Sequence, residues 1–179
     1  MRGDDEVIAL LNEQLTSELT AINQYFLHSK MQANWGLTKL AEKTRQESFE
    51  EMQHAELLTD RILMLEALPN YQRLLPLRIG QTIREQFVSD LAVEVEVVER
   101  LRPGITMCRE KGDHTSAGLF ERILAEEEDH VDYLETQLEL IDKLGEQLYL
   151  AQTVDATPPL GGEAGGLIPR GGPLAGGGA

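Results

Sequence analysis

Two Glu-x-x-His segments, Glu51-Met52-Gln53-His54 and Glu127-Glu128-Asp129-His130, each follow a lone glutamate, Glu18 or Glu94, at the same distance of 33 residues. Together the two halves offer four carboxylates and two imidazoles. Such a ligand set suits two iron or manganese ions held side by side inside a bundle of four helices. In each Glu-x-x-His the first and fourth side chains share a helix face, so both can reach one ion. The same residues facing solvent on acidic helices would mean little, and their register decides between the two readings.

Apolar residues recur at helical spacing through four long segments. The first runs from about Asp4 to Asn34, with Asp4 or Asp5 as cap and Gly36 suited to the left-handed end. The second runs from Thr38, read as its N-cap, to about Ala67. Pro69 and Pro76 interrupt the stretch from Leu68 to Gly80, which is long for a link between neighbours and predicts a crossover from one end of a bundle to the other. Thr82-Ile83-Arg84-Glu85 is a capping-box pattern opening the third helix, in which Pro103-Gly104 predicts a kink or a loosened end. Asp113 should cap the fourth helix, ending near Leu144-Gly145, and a short fifth is expected from Gln147 to Val154. From Asp155 onward, 9 of 25 residues are Gly and 4 are Pro, which predicts a disordered tail.

The stripes read Leu11, Leu15, Glu18, Ile22, Tyr25; Thr44, Glu47, Glu51, His54, Leu58; Phe87, Leu91, Glu94, Val98, Leu101; and Phe120, Ile123, Glu127, His130, Leu134. Steps of three and four define the buried seam of an antiparallel bundle. Glu18, Glu51, Glu94 and Glu127 thus stand where leucines belong. Four carboxylates cannot stay ionised together in a dry core, because desolvation and mutual repulsion each oppose it. Two divalent cations would cancel those charges. Tyr25, on the same stripe as Glu18, is placed either to donate a hydrogen bond to a ligating carboxylate or to serve as a core aromatic with its hydroxyl satisfied, and Glu47 either to pass ions inward or to stand as a solvated charge. His28 is read as lying on a solvated or inner face, and His114 as a surface residue.

With 31 Asp plus Glu against 16 Lys plus Arg, the formal charge is −15, which disfavours nucleic acid and anionic membranes as partners and favours cations. The single cysteine, Cys108, excludes a disulfide framework and a Cys₄ metal site. No basic leader with an apolar run follows Met1, and no stretch approaches the roughly 20 apolar residues of a membrane span. The expected compartment is a reducing cytoplasm. At this length the chain forms one domain, 1–154, followed by the Gly/Pro-rich tail, 155–179.

Asn23-Gln24-Tyr25-Phe26-Leu27-His28, Asn34-Trp35-Gly36, Asp60-Arg61-Ile62-Leu63, Leu68-Pro69-Asn70 and His130-Val131-Asp132-Tyr133-Leu134-Glu135-Thr136 resemble signature segments of the bacterioferritins, from Met1 to about Gln152. The resemblance implies an all-α, ferritin-like four-helix bundle with a long crossover between helices 2 and 3 and a short C-terminal fifth helix. It implies terminal ligands at Glu18 and Glu94, bridging ligands at Glu51 and Glu127, and one ion on each of His54 and His130, two iron ions per subunit. The implied activity is that of a ferroxidase, which oxidises Fe(II) with dioxygen or peroxide and stores ferric mineral for iron storage and detoxification. The implied assembly is a hollow homo-oligomeric cage of twenty-four subunits built from dimers, with haem b shared between two subunits through Met52 of each and a ferredoxin-type reductant for iron release.

On helix 2, Met52 lies about 100° around from Glu51 and points away from the paired carboxylates. Leu19, Ile22, Phe26 and Phe49 are the expected pocket walls. One departure is Gln46, which stands with Glu50 where some members carry a histidine and an aspartate on the inner wall; an inner-surface iron site of that kind is therefore in doubt. Rubrerythrin-like enzymes need the cysteines this chain lacks, and starvation-type mini-ferritins place their metal sites between subunits. Gly165-Gly166-Leu167-Ile168-Pro169-Arg170 in the tail is a short apolar-basic patch suited to docking on a partner such as an encapsulating shell.

Overall fold

In the computed structural model, which describes residues 2–154, the apolar stripes become four long helices and one short one: α1 (Asp5–Asn34), α2 (Thr38–Met64), α3 (Ile83–Glu110), α4 (His114–Leu144) and α5 (Glu146–Ala151). No strand occurs among the described residues. The expectations for the 155–179 tail lie outside them. The helices pack as two pairs, α1 on α2 and α3 on α4, joined chiefly through α1 and α3. Arg61 near the end of α2 reaches α4, where its guanidinium donates to Ser116 Oγ (2.8 Å) and Asp113 Oδ1 (2.6 Å).

Caps act largely where the sequence puts them. The Asp4 carboxylate accepts from the amides of Glu6 and Val7, and Asp113 from that of Ser116, so each of these two helix starts has some of its free donors met. Thr82 Oγ1 accepts from the Glu85 amide at 3.2 Å, but the Glu85 carboxylate reaches the amide of Gln81 rather than that of Thr82. Thr38 is the first residue of α2 and not its cap; Leu37 precedes it, and α2 ends at Met64, three residues short of Ala67. The short α5 starts and stops earlier than the stretch from Gln147 to Val154. Its Tyr149 packs edge-on against Phe87, ring centroids 6.3 Å apart, which seats α5 on the bundle end.

Pro103 does not end α3, which continues to Glu110. The neighbouring Gly104 explains the pair: a Cβ there would stand 2.7 Å from Leu10 Cδ2, so glycine lets α1 and α3 approach closely while Pro103 faces outward.

The crossover, residues 65–82, runs beside α1 on a row of side-chain hooks. Backbone amides of Asn70, Leu75, Arg78 and Gly80 donate to Asn12 Oδ1 (2.7 Å), Thr20 Oγ1 (3.0 Å), Gln24 Oε1 (2.9 Å) and His28 Nε2 (3.1 Å). From Asn12 to His28 a helix rises about 24 Å, within reach of the ten residues from Asn70 to Gly80, which would span about 33–36 Å if fully extended. His28 is therefore not on a solvated or inner face: it is fully buried, with Nδ1 3.1 Å from Asp90 Oδ2. At Gly80 a Cβ would lie 2.2 Å from the backbone nitrogen of Gln86. Gly80→Ala should thus push the crossover off α3 and cost about 1–3 kcal/mol. A lowered urea midpoint at unchanged slope would register it.

Two large apolar clusters and a small third one, Ala21, Tyr25 and Val93, fill the bundle. The larger gathers Leu11, Leu15, Leu58, Ile62, Leu101, Phe120 and Ile123; the other gathers Leu37, Leu40, Ile83, Phe87, Leu134, Ile141 and Tyr149. Between them, on all four long helices, comes a polar layer.

Candidate di-metal centre

That layer contains Glu18, Glu51, His54, Glu94, Glu127 and His130. The four glutamates and His54 are at most 1% exposed, and His130 is 8% exposed. Two overlapping groups form, Glu18–Glu51–His54–Glu127 and Glu51–Glu94–Glu127–His130, and within each the ligand atoms all lie within 4.8 Å of one another. Glu51 and Glu127 belong to both.

The oxygens are divided evenly. His54 Nδ1 lies 3.3 Å from Glu51 Oε2 and 3.1 Å from Glu127 Oε1, while His130 Nδ1 lies 3.3 Å from Glu51 Oε1 and 3.1 Å from Glu127 Oε2. Each central carboxylate therefore turns one oxygen to each half. Glu18 Oε2 (3.9 Å from His54) and Glu94 Oε1 (4.0 Å from His130) serve one half apiece. Such a geometry could hold two ions with two end ligands and two shared ones.

A second set of groups holds the first. Gln14 Nε2 donates to Glu18 Oε1 at 2.7 Å, and the Tyr25 hydroxyl donates to Glu94, as its place on the stripe suggested. His54 Nε2 lies 2.8 Å from Glu126 Oε2; His130 Nε2 lies 2.8 Å from Glu47 Oε2 and 3.2 Å from Glu50 Oε2. A proton on each Nε2 leaves Nδ1 with a lone pair aimed into the cluster, the tautomer a metal ligand needs. Glu47 is buried and paired with Lys43, not a solvated charge. Gln46 donates to Glu50 Oε1 at 3.1 Å, so that pair binds itself. A groove of about 460 Å³, bordered by Gln46, Glu50, Gln53, Glu126 and Asp129, opens over His130. His114 is exposed, as expected of it.

The sequence missed Gln14, Glu126 and the Asp90–His28 pair. Gln14 was findable, one turn before Glu18 on the same buried face. Glu126 is one of four consecutive acids, and nothing local separates it from its neighbours.

Protons occupy the cluster in the absence of cations. Burial, followed by the charges of Glu51 and Glu127, raises Glu18 well above the usual carboxylate range; burial and the Glu127 charge do the same to Glu94. Burial opposes charging His54, but hydrogen bonds to Glu127 and Glu51 and the charge of Glu18 outweigh it and raise its pKa to about 12. His130 is raised likewise, burial being outweighed by hydrogen bonds to Glu127, Glu47 and Glu51. Glu127 moves the other way, to about 2, its burial overcome by hydrogen bonds from His130 and His54. Even so, Glu51 Oε1 and Glu127 Oε1 make no aligned hydrogen bond. A single Nδ1 proton per imidazole cannot serve all the oxygens gathered around it, and the surplus lone pairs fit a pair of dications.

On the outer side of α2, Met52 is half exposed, with Phe49 (44%) near it on α2 and Phe26 (47%) on α1. The Arg45 guanidinium lies over both rings, 5.5 Å and 5.2 Å from their centroids, which places Phe26 and Phe49 side by side. Met52 is thus directed away from the carboxylates.

The Ferritin-like domain family matches residues 8–144. Bacterioferritin of Mycolicibacterium paratuberculosis is 71% identical over 158 residues, covering 88% of this chain and 99% of its own length. The solved structure of Mycobacterium tuberculosis bacterioferritin, BfrA, superposes with a TM-score of 0.86 at 71% identity, over 87% of this chain and 98% of that one. Rhodobacter capsulatus bacterioferritin, described with a metal-free dinuclear site and a haem iron in a crystallographic special position, superposes at 0.85 with 48% identity, over 87% and 97%.

Proposed function

We propose, for a chain that belongs to the bacterioferritins of the ferritin-like family, that it stores iron by oxidising Fe(II) at the paired carboxylate site and keeping the ferric product inside a cage. The observation that carries this reading is the even division of Glu51 and Glu127 between two imidazoles. Glu18, His54, Glu94 and His130 would complete two iron positions within one subunit. Each Fe(II) gives one electron to dioxygen or peroxide, and the four glutamates stabilise the higher charge of the product more than that of the substrate, because charge is poorly screened in a buried site.

The reading extends to a cytoplasmic homo-oligomer of twenty-four subunits built from dimers, with a ferredoxin-type reductant for release. It takes 1–154 as the di-iron domain and 155–179 as an appendage. Met52, exposed among Phe26 and Phe49, would hold haem b jointly with Met52 of a second copy. A thioether is a soft ligand suited to haem iron, and haem so bound supplies a one-electron relay. No helix among the described residues is long and apolar enough to cross a membrane. Assembly is tested by light scattering on a gel-filtration column: twenty-four copies of a 20.0 kDa chain make a particle of about 480 kDa, and a dimer would sink the cage.

Protonation supplies a second test. Glu18, Glu94, His54 and His130 keep their protons in the folded, metal-free state above the pH at which the unfolded chain releases them, near 4.5 for glutamate and 6.5 for histidine. Their contribution to stability is complete below those values and fades as pH rises. Glu127, with its lowered pKa, contributes above 4.5 and loses that contribution only as pH falls toward about 2. The metal-free protein is therefore expected to melt at a lower temperature at about pH 9 than at about pH 6. Zn(II), which needs the same groups deprotonated, should remove or reverse that trend. Thermal melts with and without the ion read both, and a metal-free melting point that climbs over this range contradicts the assignment.

A further inference from the structure

The two halves of the site match at their ligands and differ in the charges behind them. Behind Glu18 and His54 stand Glu126, whose other oxygen accepts from Arg122 Nε at 3.0 Å, and Gln14, whose carbonyl accepts from Arg100 Nη1 at 3.3 Å. One carboxylate is thus outnumbered by two guanidinium groups. Behind Glu94 and His130 stand Glu47 and Glu50, both within 3.2 Å of His130 Nε2, and Lys43, paired with Glu47, offsets one of them. These groups sum to one positive charge in the first half and one negative charge in the second, and the buried Asp90, paired with His28, lines the same cavity as Glu47, Glu94 and His130. The side chain of Glu47 is only 11% exposed, so water screens it little, whereas Arg122 is 61% exposed.

Since the Nε2 of each histidine has a carboxylate at 2.8 Å, both imidazoles are equally oriented. What remains unequal is the field. We propose, resting on the di-metal reading above, that the Glu94/His130 half takes the first divalent cation and holds it more tightly than the Glu18/His54 half. The first ion then sits where Glu47 and Glu50 add to its attraction, and the second occupies a position the arginines make weaker and more easily exchanged.

Crystals of the assembled protein grown with about one equivalent of Zn(II) per subunit, measured at the zinc absorption edge, give the occupancy of each position. The expected ratio is roughly ten to one or more in favour of Glu94/His130, in line with what a neighbouring carboxylate contributes to metal affinity. Equal or reversed occupancy overturns the ordering while leaving the paired site intact, and zinc in neither position overturns both. Zinc between Glu47 and Glu50 on the Nε2 side of His130 also overturns it, because those carboxylates would then be ligands and not background charge. The double variant Glu47→Gln/Glu50→Gln keeps shape and removes two charges, and its two occupancies should become equal within about threefold. Arg122→Gln, at an exposed position, should narrow the gap from the other side. An unchanged ratio in either variant shows that charge is not the cause.

Discussion

Glu127→Ala is expected to lower the initial rate of Fe(II) oxidation by about two orders of magnitude or more, read by stopped-flow absorbance of the ferric product. The size of the effect comes from sharing. Glu127 offers Oε1 toward His54 and Oε2 toward His130, so its loss weakens both positions and removes what joins them. Glu18→Ala strips one half only, and one ion per subunit should still bind beside Glu94 and His130. The two variants therefore separate in metal stoichiometry even though both are slow. Assembly should survive, because Glu127 is wholly inside the bundle and faces no outer surface. Oxidation at the parent rate in Glu127→Ala would place the reaction elsewhere.

Met52→Leu is expected to abolish the Soret band of the purified protein while leaving the particle size unchanged. Leucine nearly matches the volume of methionine, so packing changes little and the sulfur alone is lost. The half-exposed side chain contributes little to the subunit's own core, which keeps the experiment free of folding effects. Met64, even more exposed at 62%, is the control: its sulfur accepts from Arg61 at 3.4 Å, and Met64→Leu should keep the band. A Soret band that persists in Met52→Leu ends the haem assignment. Oxidation at the paired carboxylates should be little altered by Met52→Leu, because Met52 points out of the bundle while Glu51 points in.

The fold and six candidate site residues were legible because both depend on periodicity. A glutamate spaced three or four residues from leucines shares their face whatever the partner helix is, so Glu18, Glu51, Glu94 and Glu127 could be placed in the core before any contact was known. The crossover was legible for a similar reason, since prolines forbid helix locally. The errors concern residues whose state depends on a distant neighbour. His28 follows Leu27 and reads as lying on a solvated or inner face; it is buried against Asp90, 62 residues away, and the crossover backbone at Gly80. Pro103-Gly104 predicts a kink in α3 or a loosening of its last turns; what the sequence does not show is that Gly104 meets Leu10 of α1, while α3 continues to Glu110. Thr38 looked like a cap, and α2 simply begins with it.

The sequence by itself thus determined an all-α bundle and a buried layer of four carboxylates and two imidazoles, because helical register and the cost of burying charge are local facts. Only the tertiary structure decided how that layer is shared and biased. Which oxygen of Glu51 faces which histidine, that Glu47 and Glu50 crowd His130, and that Glu126 backs His54 depend on side chains brought together from different helices. Two halves with the same motif are therefore unequal sites, because charge acts through space and spacing along the chain records only the ligands.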